Sequence, residues 1–174
     1  AHEGKGRGNQ FLDDLNQANA LIHVIDVSGS TTVEGEPVPA GTQDPAETIK
    51  FLENELDMWY YRILNKGWEK FARQIQQESR DINKAIAKQL SGLRVTEEIA
   101  IEATREFTKP IRDWDSEELK KLARKLRQIT KPMLIAANKV DVPGALENLK
   151  KIKKQFPNEI IVGCSAESEL ALKE

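Results

Sequence analysis

The sequence predicts an α/β fold with parallel strands and a long helical insertion, on three observations. Three short apolar runs, Ala20–Val27, Met133–Ala137 and Glu159–Cys164, have strand length and lack polar alternation, as strands covered on both faces do. Residues 44–130 instead place apolar side chains three and four positions apart, the period of helices. Two of the runs end in polar clusters, Asn138-Lys139-Val140-Asp141 and Ser165-Ala166-Glu167, at the strand ends where open α/β sheets bind ligands. The expected division is residues 1–43, an insertion domain at 44–130, and residues 131–174.

Composition bounds the function. Of 174 residues 39% are hydrophobic and 31% charged, with a net charge of -2, so no bias toward nucleic acid or a membrane surface is present. Cys164 is the single cysteine, which excludes an internal disulfide; with only His2 and His23 beside it, no Cys/His metal cluster is expected. No apolar stretch approaches about 18 residues, and Ala1–Gly4 resemble no leader, so a soluble cytoplasmic protein is expected. The chain opens without Met and closes as a helix begins, and it reads as a fragment.

In chain order, Gly4-Lys5-Gly6-Arg7-Gly8 has the glycines of a phosphate-cradling loop but neither a preceding strand nor a Ser or Thr after its Lys. It reads as a flexible loop entering a helix at Asn9–Asn16. Ala20–Val27 is the first strand, with His23 a core or helix-covered position rather than a ligand, and Asp26 near its carboxyl end either a site carboxylate or equally an acceptor of hydrogen bonds from the turn Ser28-Gly29-Ser30. Residues 30–43 form a connector rich in Thr, Gly, Pro and Glu.

Asp44-Pro45-Ala46-Glu47 starts a helix: a capping Asp, Pro at the first helical position, Glu three residues after the cap. Ile49, Leu52, Leu56, Trp59 and Ile63 give its buried face, and after Gly67 the series from Trp68 to Leu90 predicts a second long helix. A shorter one follows from Thr96 to Phe107, broken by Pro110. Asp115-Ser116-Glu117-Glu118 opens another, whose Lys120, Lys121, Arg124, Lys125 and Arg127 either contact RNA or acidic protein or form a solvated face. Trp59, Tyr60, Tyr61, Trp68 and Phe71 are expected in the core between antiparallel helices. After the second strand a helix is expected over Ala145–Gln155, its lysines favoured near the negative end of the helix dipole.

The chemistry concentrates at the strand ends. A carboxylate at Asp141 accepts two hydrogen bonds from the imino and exocyclic amino groups of guanine, a donor pair adenine lacks. Charge-assisted bonds contribute roughly 1.5–3 kcal/mol each, so guanine is selected. Asn138 is expected to tie neighbouring loops together, and Lys139 to lay its aliphatic stem along the base with its ammonium in water.

A strand, Asn-Lys-x-Asp, a helix, and a strand ending in Ser-Ala resemble the guanine-recognition half of P-loop GTPases. That likeness implies a partial P-loop GTPase fold, a three-stranded parallel half-sheet with helices. It also implies that the Ala166 amide donates to the guanine carbonyl and that Ser165 steadies the loop, with Glu167 beside them. The finer resemblance is to Obg-related GTPases of the YchF-like branch in their archaeal form. His2–Leu15 looks like the segment after that family's Asp-x-Ala-Gly motif, residues 44–130 like its helical insertion, and Ser165–Leu172 like its base-binding loop. The family implies GTP or GDP as ligand, a ribosome or RNA as partner, and magnesium only in an intact longer protein; neither membrane nor DNA is implied. Some members of the branch prefer ATP, whereas the intact Asp141 argues for GTP.

The departures matter equally. No Gly-x-x-x-x-Gly-Lys-Ser/Thr occurs, so nothing here is expected to hold the β- and γ-phosphates, and no catalytic residue is assigned. About eleven base atoms at roughly 0.3–0.5 kcal/mol each give millimolar affinity at best. The alternative is that residues 44–130 are a non-enzymatic module binding protein or RNA.

Overall fold

In the computed structural model, which describes residue 15 and residues 17–32, 35–78 and 80–173, the three apolar runs form β1 (Leu21–Asp26), β2 (Met133–Asn138) and β3 (Ile160–Gly163). They pair in parallel in the order β1-β2-β3, with Ile25 opposite Ala137 and Asp26 opposite Asn138, then Ala137 opposite Gly163. The helices are α1 (Pro45–Asn65), α2 (Trp68–Gln77), α3 (Ile82–Gln89), α4 (Glu97–Thr104), α5 (Ser116–Thr130), α6 (Ala145–Gln155) and α7 (Ala166–Ala171). The helix expected at Asn9–Asn16, the Gly4–Gly8 loop and the family-like segment His2–Leu15 lie almost wholly outside the described residues.

The described residues divide into two compact units: one of 20–53 with 133–174, the other of 54–132 with the described residues up to 19. The first division falls inside α1, so the first turns of that helix belong with the sheet.

In the sheet unit, one face is closed. Ile25, Ile135, Ala137 and Ile161 meet Ala46 and Ile49 of α1 and Ala145 and Ile152 of α6 in one buried cluster. Burial at roughly 25 cal/mol per Å² of apolar surface makes this cluster the main source of cohesion. The opposite face is not closed. Ile22, Leu134 and Ile160 stand in one registered row and Val24, Ala136 and Val162 in the next, and Ile22, Val24, Ile160 and Val162 are all exposed.

α1 starts, within the sheet unit, as expected, with Asp44 Oδ1 accepting from the Ala46 N–H at 2.9 Å. In the helical unit Trp59, Tyr60 and Trp68 are core, whereas Tyr61 and Phe71 are only half-buried; Trp59 packs edge-on to Tyr60, whose hydroxyl meets Thr130 Oγ1 at 2.7 Å. Trp68 stacks on Trp114 with ring centres 5.7 Å apart and planes 10° apart. Asp115 opens α5 with a capping box, accepting from the Glu117 and Glu118 amides.

One expectation fails. The single helix from Trp68 to Leu90 is two helices, α2 and α3, separated after Gln77. No apolar residue lies between Ile75 and Ile82, and Asp81 is the reason for the new start: its carboxylate accepts from the Asn83 and Lys84 amides at 2.8 and 3.2 Å. A carboxylate that satisfies the free amides of a helix start favours beginning a new helix over continuing the old one.

Candidate functional site

The site grows from the carboxyl ends of all three strands. β2 ends at Asn138, and the turn after it is stitched from both sides: Val27 N–H donates to Asn138 O at 3.0 Å, Cys164 N–H to Ala137 O at 2.9 Å, and Val140 N–H to Cys164 O at 3.2 Å. Those bonds hold Lys139 in the left-handed region at φ 68°, where a side chain with a Cβ is strained. A backbone forced into that region at a sheet edge is the kind of strain found at ligand sites.

Asn138 does what the sequence predicts. Its Oδ1 accepts the Ala166 N–H at 2.9 Å and tethers the second motif to the first. Ser165 caps α7, its Oγ accepting from the Ser168 N–H at 3.3 Å, so the Ser-Ala-Glu loop is fixed at both ends. Asp141 lies exposed on the turn, and among the described residues its carboxylate has no partner. Glu167 is exposed in the first turn of α7. Thus Asn138, Lys139, Asp141, Ser165, Ala166 and Glu167 share one edge of one unit. Cys164 is a half-buried free thiol beside them.

Two expectations meet a different geometry. The Lys139 ammonium is not left to water: it donates to Asp26 Oδ2 at 2.7 Å, Ser30 Oγ at 3.0 Å and Thr31 Oγ1 at 2.9 Å. A strand-end carboxylate next door outcompetes solvent for a reachable cation. The Ala166 N–H, which the resemblance assigns to a guanine carbonyl, is here given to Asn138.

Asp26 is the residue whose weight the sequence understated. Besides Lys139 it accepts from the Ser28 amide at 2.9 Å and from the hydroxyls of Ser28 (2.6 Å), Ser30 (2.9 Å) and Thr31 (2.6 Å). Burial by itself would raise its pKa; the donors, Lys139 foremost, overcome that and hold the carboxyl far below the usual range. Asp-x-Ser-x-Ser-Thr directly after a strand was the available signal. Gly29 makes the loop possible: it sits at φ 66°, and a Cβ there would collide with the Gln43 carbonyl. Asn148 of α6 reaches back to Val27 O at 3.1 Å and braces the same loop.

Among the described residues no three His, Cys, Asp or Glu converge as metal ligands, and no helix is long and apolar enough to cross a membrane. In the helical unit the basic face of α5 is largely compensated: Lys120 pairs with Glu117, Lys125 with Glu106, and Arg124 and Arg127 both with Asp57. That unit also holds an open groove of about 1050 Å³ lined by Trp68, Lys70, Arg73, Glu78 and Asp115, with charges of both signs.

Residues 136–174, which contain both motifs, match the G4 motif-containing domain of the YGR210-like Obg-like GTPases. A GTP-binding protein of Methanocaldococcus jannaschii is 52% identical over 99% of this chain and 43% of its own length. The ribosome-binding ATPase YchF of Bacillus subtilis is 29% identical over 98% of this chain and 46% of its own. The crystal structure of a GTP-binding protein from Pyrococcus horikoshii superposes with a TM-score of 0.83 at 41% identity, covering 94% of this chain and 48% of that one. The chain therefore spans less than half the length of these relatives.

Proposed function

We propose, from its similarity to Obg-related, YchF-like GTP-binding proteins, that the sheet edge of this chain is a guanine-base site. Asp141 reads the imino and amino groups, the Lys139 stem flanks the ring, and the Ala166 N–H meets the carbonyl, with Asn138 and Ser165 holding the two loops and Glu167 at the rim. The observation that carries this reading is the 2.9 Å bond from Ala166 N–H to Asn138 Oδ1, which makes two motifs 28 residues apart a single edge. Sharing that N–H with a base carbonyl exchanges one neutral hydrogen bond for another, a change of about 1 kcal/mol at most.

By itself the chain binds the base and does not hydrolyse GTP, because its sequence has no Gly-x-x-x-x-Gly-Lys-Ser/Thr loop to hold the phosphates. The Bacillus relative's ribosome binding suggests a ribosomal or RNA partner, and a cytoplasmic setting goes with it. The groove of the helical unit supports the second reading, an interaction module. If ribosomes captured the chain through that groove, Arg73→Glu would release it while the nucleotide response persisted.

The test is an amide-by-amide NMR titration with GDP and, separately, ADP at millimolar concentration, repeated on Asp141→Ala. Shifts at Asn138–Asp141 and Ser165–Glu167 with GDP alone, lost in the variant, are expected. Equal shifts with ADP would replace guanine selectivity by a general purine site. No shifts with either nucleotide would overturn the site.

A further inference from the structure

Lys139 has three ammonium protons, and three oxygens receive them, at 2.7, 3.0 and 2.9 Å. The two hydroxyls among those acceptors each give their own proton to Asp26 Oδ2, Ser30 at 2.9 Å and Thr31 at 2.6 Å, so their lone pairs are free to accept from the lysine. Each ammonium proton thus has its own acceptor, while the Ser28 hydroxyl lies within reach of both Asp26 Oδ1 at 2.6 Å and Ser30 Oγ at 2.9 Å. Asp26 is in turn fixed through its other oxygen by the Ser28 amide and hydroxyl. A lysine whose backbone is held by strand-end bonds and whose head is held by three acceptors has no freedom left in its four-carbon stem.

We propose that Asp26, seconded by Ser30 and Thr31, is a positioning residue of the base site: it anchors the Lys139 ammonium, so that the lysine stem stands ready as a wall against the purine. The role rests on the base-site reading above and adds a residue from a different strand to it. Asp26 touches no ligand. Its contribution is to meet in advance the cost of ordering a flexible lysine, which a ligand would otherwise bear on binding.

Freezing a long charged side chain costs enough that losing the hold should weaken binding roughly tenfold. Because Asp26 acts through the stem and not on the base edge, Asp26→Asn should weaken GDP and inosine diphosphate, which lacks the exocyclic amino group, by the same factor. Asp141→Ala should instead erase the difference between those two ligands. In Lys139→Ala, adding Asp26→Asn should cost nothing further. The ammonium should show a slowly exchanging side-chain 15N signal in the natural chain that disappears in Asp26→Asn, a readout that a general loosening of the fold would not move selectively.

The measurement is the titration of the whole chain with both nucleotides for these variants, alongside the ammonium exchange rate. Thr31→Val, isosteric and charge-neutral, decides the matter where Asp26→Asn fails to fold, with an expected loss of about two- to threefold and faster ammonium exchange. Affinity and exchange unchanged in Asp26→Asn or Thr31→Val, or losses at Asp26 and Lys139 that add, would overturn the positioning role alone. A natural chain that gives no GDP shifts would overturn the base site and this role with it.

Discussion

At the scale of single residues, the sheet unit holds two groups whose protonation is linked to folding. His23 lies half-buried on β1 with its Nδ1 lacking a partner among the described residues, and burial lowers its pKa from 6.5. The folded chain then binds fewer protons than the unfolded one, so stability is full above pH 6.5 and declines as pH falls below it. Asp26, also lowered, from 3.8, gives stability that is complete above that value and lost as pH falls through its folded value. Urea midpoints of the β2 amides should therefore fall in two stages, one between pH 7 and 5 and one below about pH 4. Asp26→Asn should flatten only the second. A single decline, unaltered by that substitution, would contradict the assignment. The motif residues were legible in the sequence because Asn-Lys-x-Asp and Ser-Ala follow apolar runs directly. The partner of Lys139 was not, because a spacing of 113 residues says nothing about which strands lie side by side.

Among the elements, the caps decide the boundaries. Asp81→Ala leaves the first amides of α3 without their acceptor, and an N-cap of this type contributes about 1 kcal/mol. The variant should lower the helical unit's urea stability by that amount and leave amide shifts in β2 unchanged; a loss near zero would mean that packing of Ile86, not the cap, sets the start of α3. The same residue shows where reading the sequence ran out. Asp44 and Asp115 were legible as helix starts because Pro or Glu follows in the capping pattern. Asp81 has no such followers, and Ile75 and Ile82, seven apart, are in phase on a helical face, so the break was hidden by a period that it did not disturb. α6 was legible to both ends, since Gly144 at φ 85° precedes it and an apolar residue, Phe156, ends its polar last turn.

For the whole molecule, the two units differ in how completely they close. The helical unit buries Tyr60, Leu64, Leu122 and Leu126 almost entirely, while the sheet unit leaves Ile22, Val24, Ile160 and Val162 in solvent. All-parallel sheets are ordinarily covered on both faces, so the sheet unit has forgone a share of the burial that such a sheet usually gains. Hydrogen exchange in rising urea should show β2 protection lost before α5 protection. Loss of both at one concentration with one slope would mean that the chain opens as a single cooperative body. The three-stranded order was legible only through the resemblance; periodicity alone names strands and not neighbours.

The aromatic packing of the helical unit has an optical consequence. Trp59, Trp68 and Trp114 are all the indoles the chain possesses, and each lies between residues 54 and 132. The ultraviolet emission of this protein is thus a report from the helices alone, and the sheet edge with Asn138 and Asp141 is dark, a blank field in which an introduced chromophore would supply the only local signal.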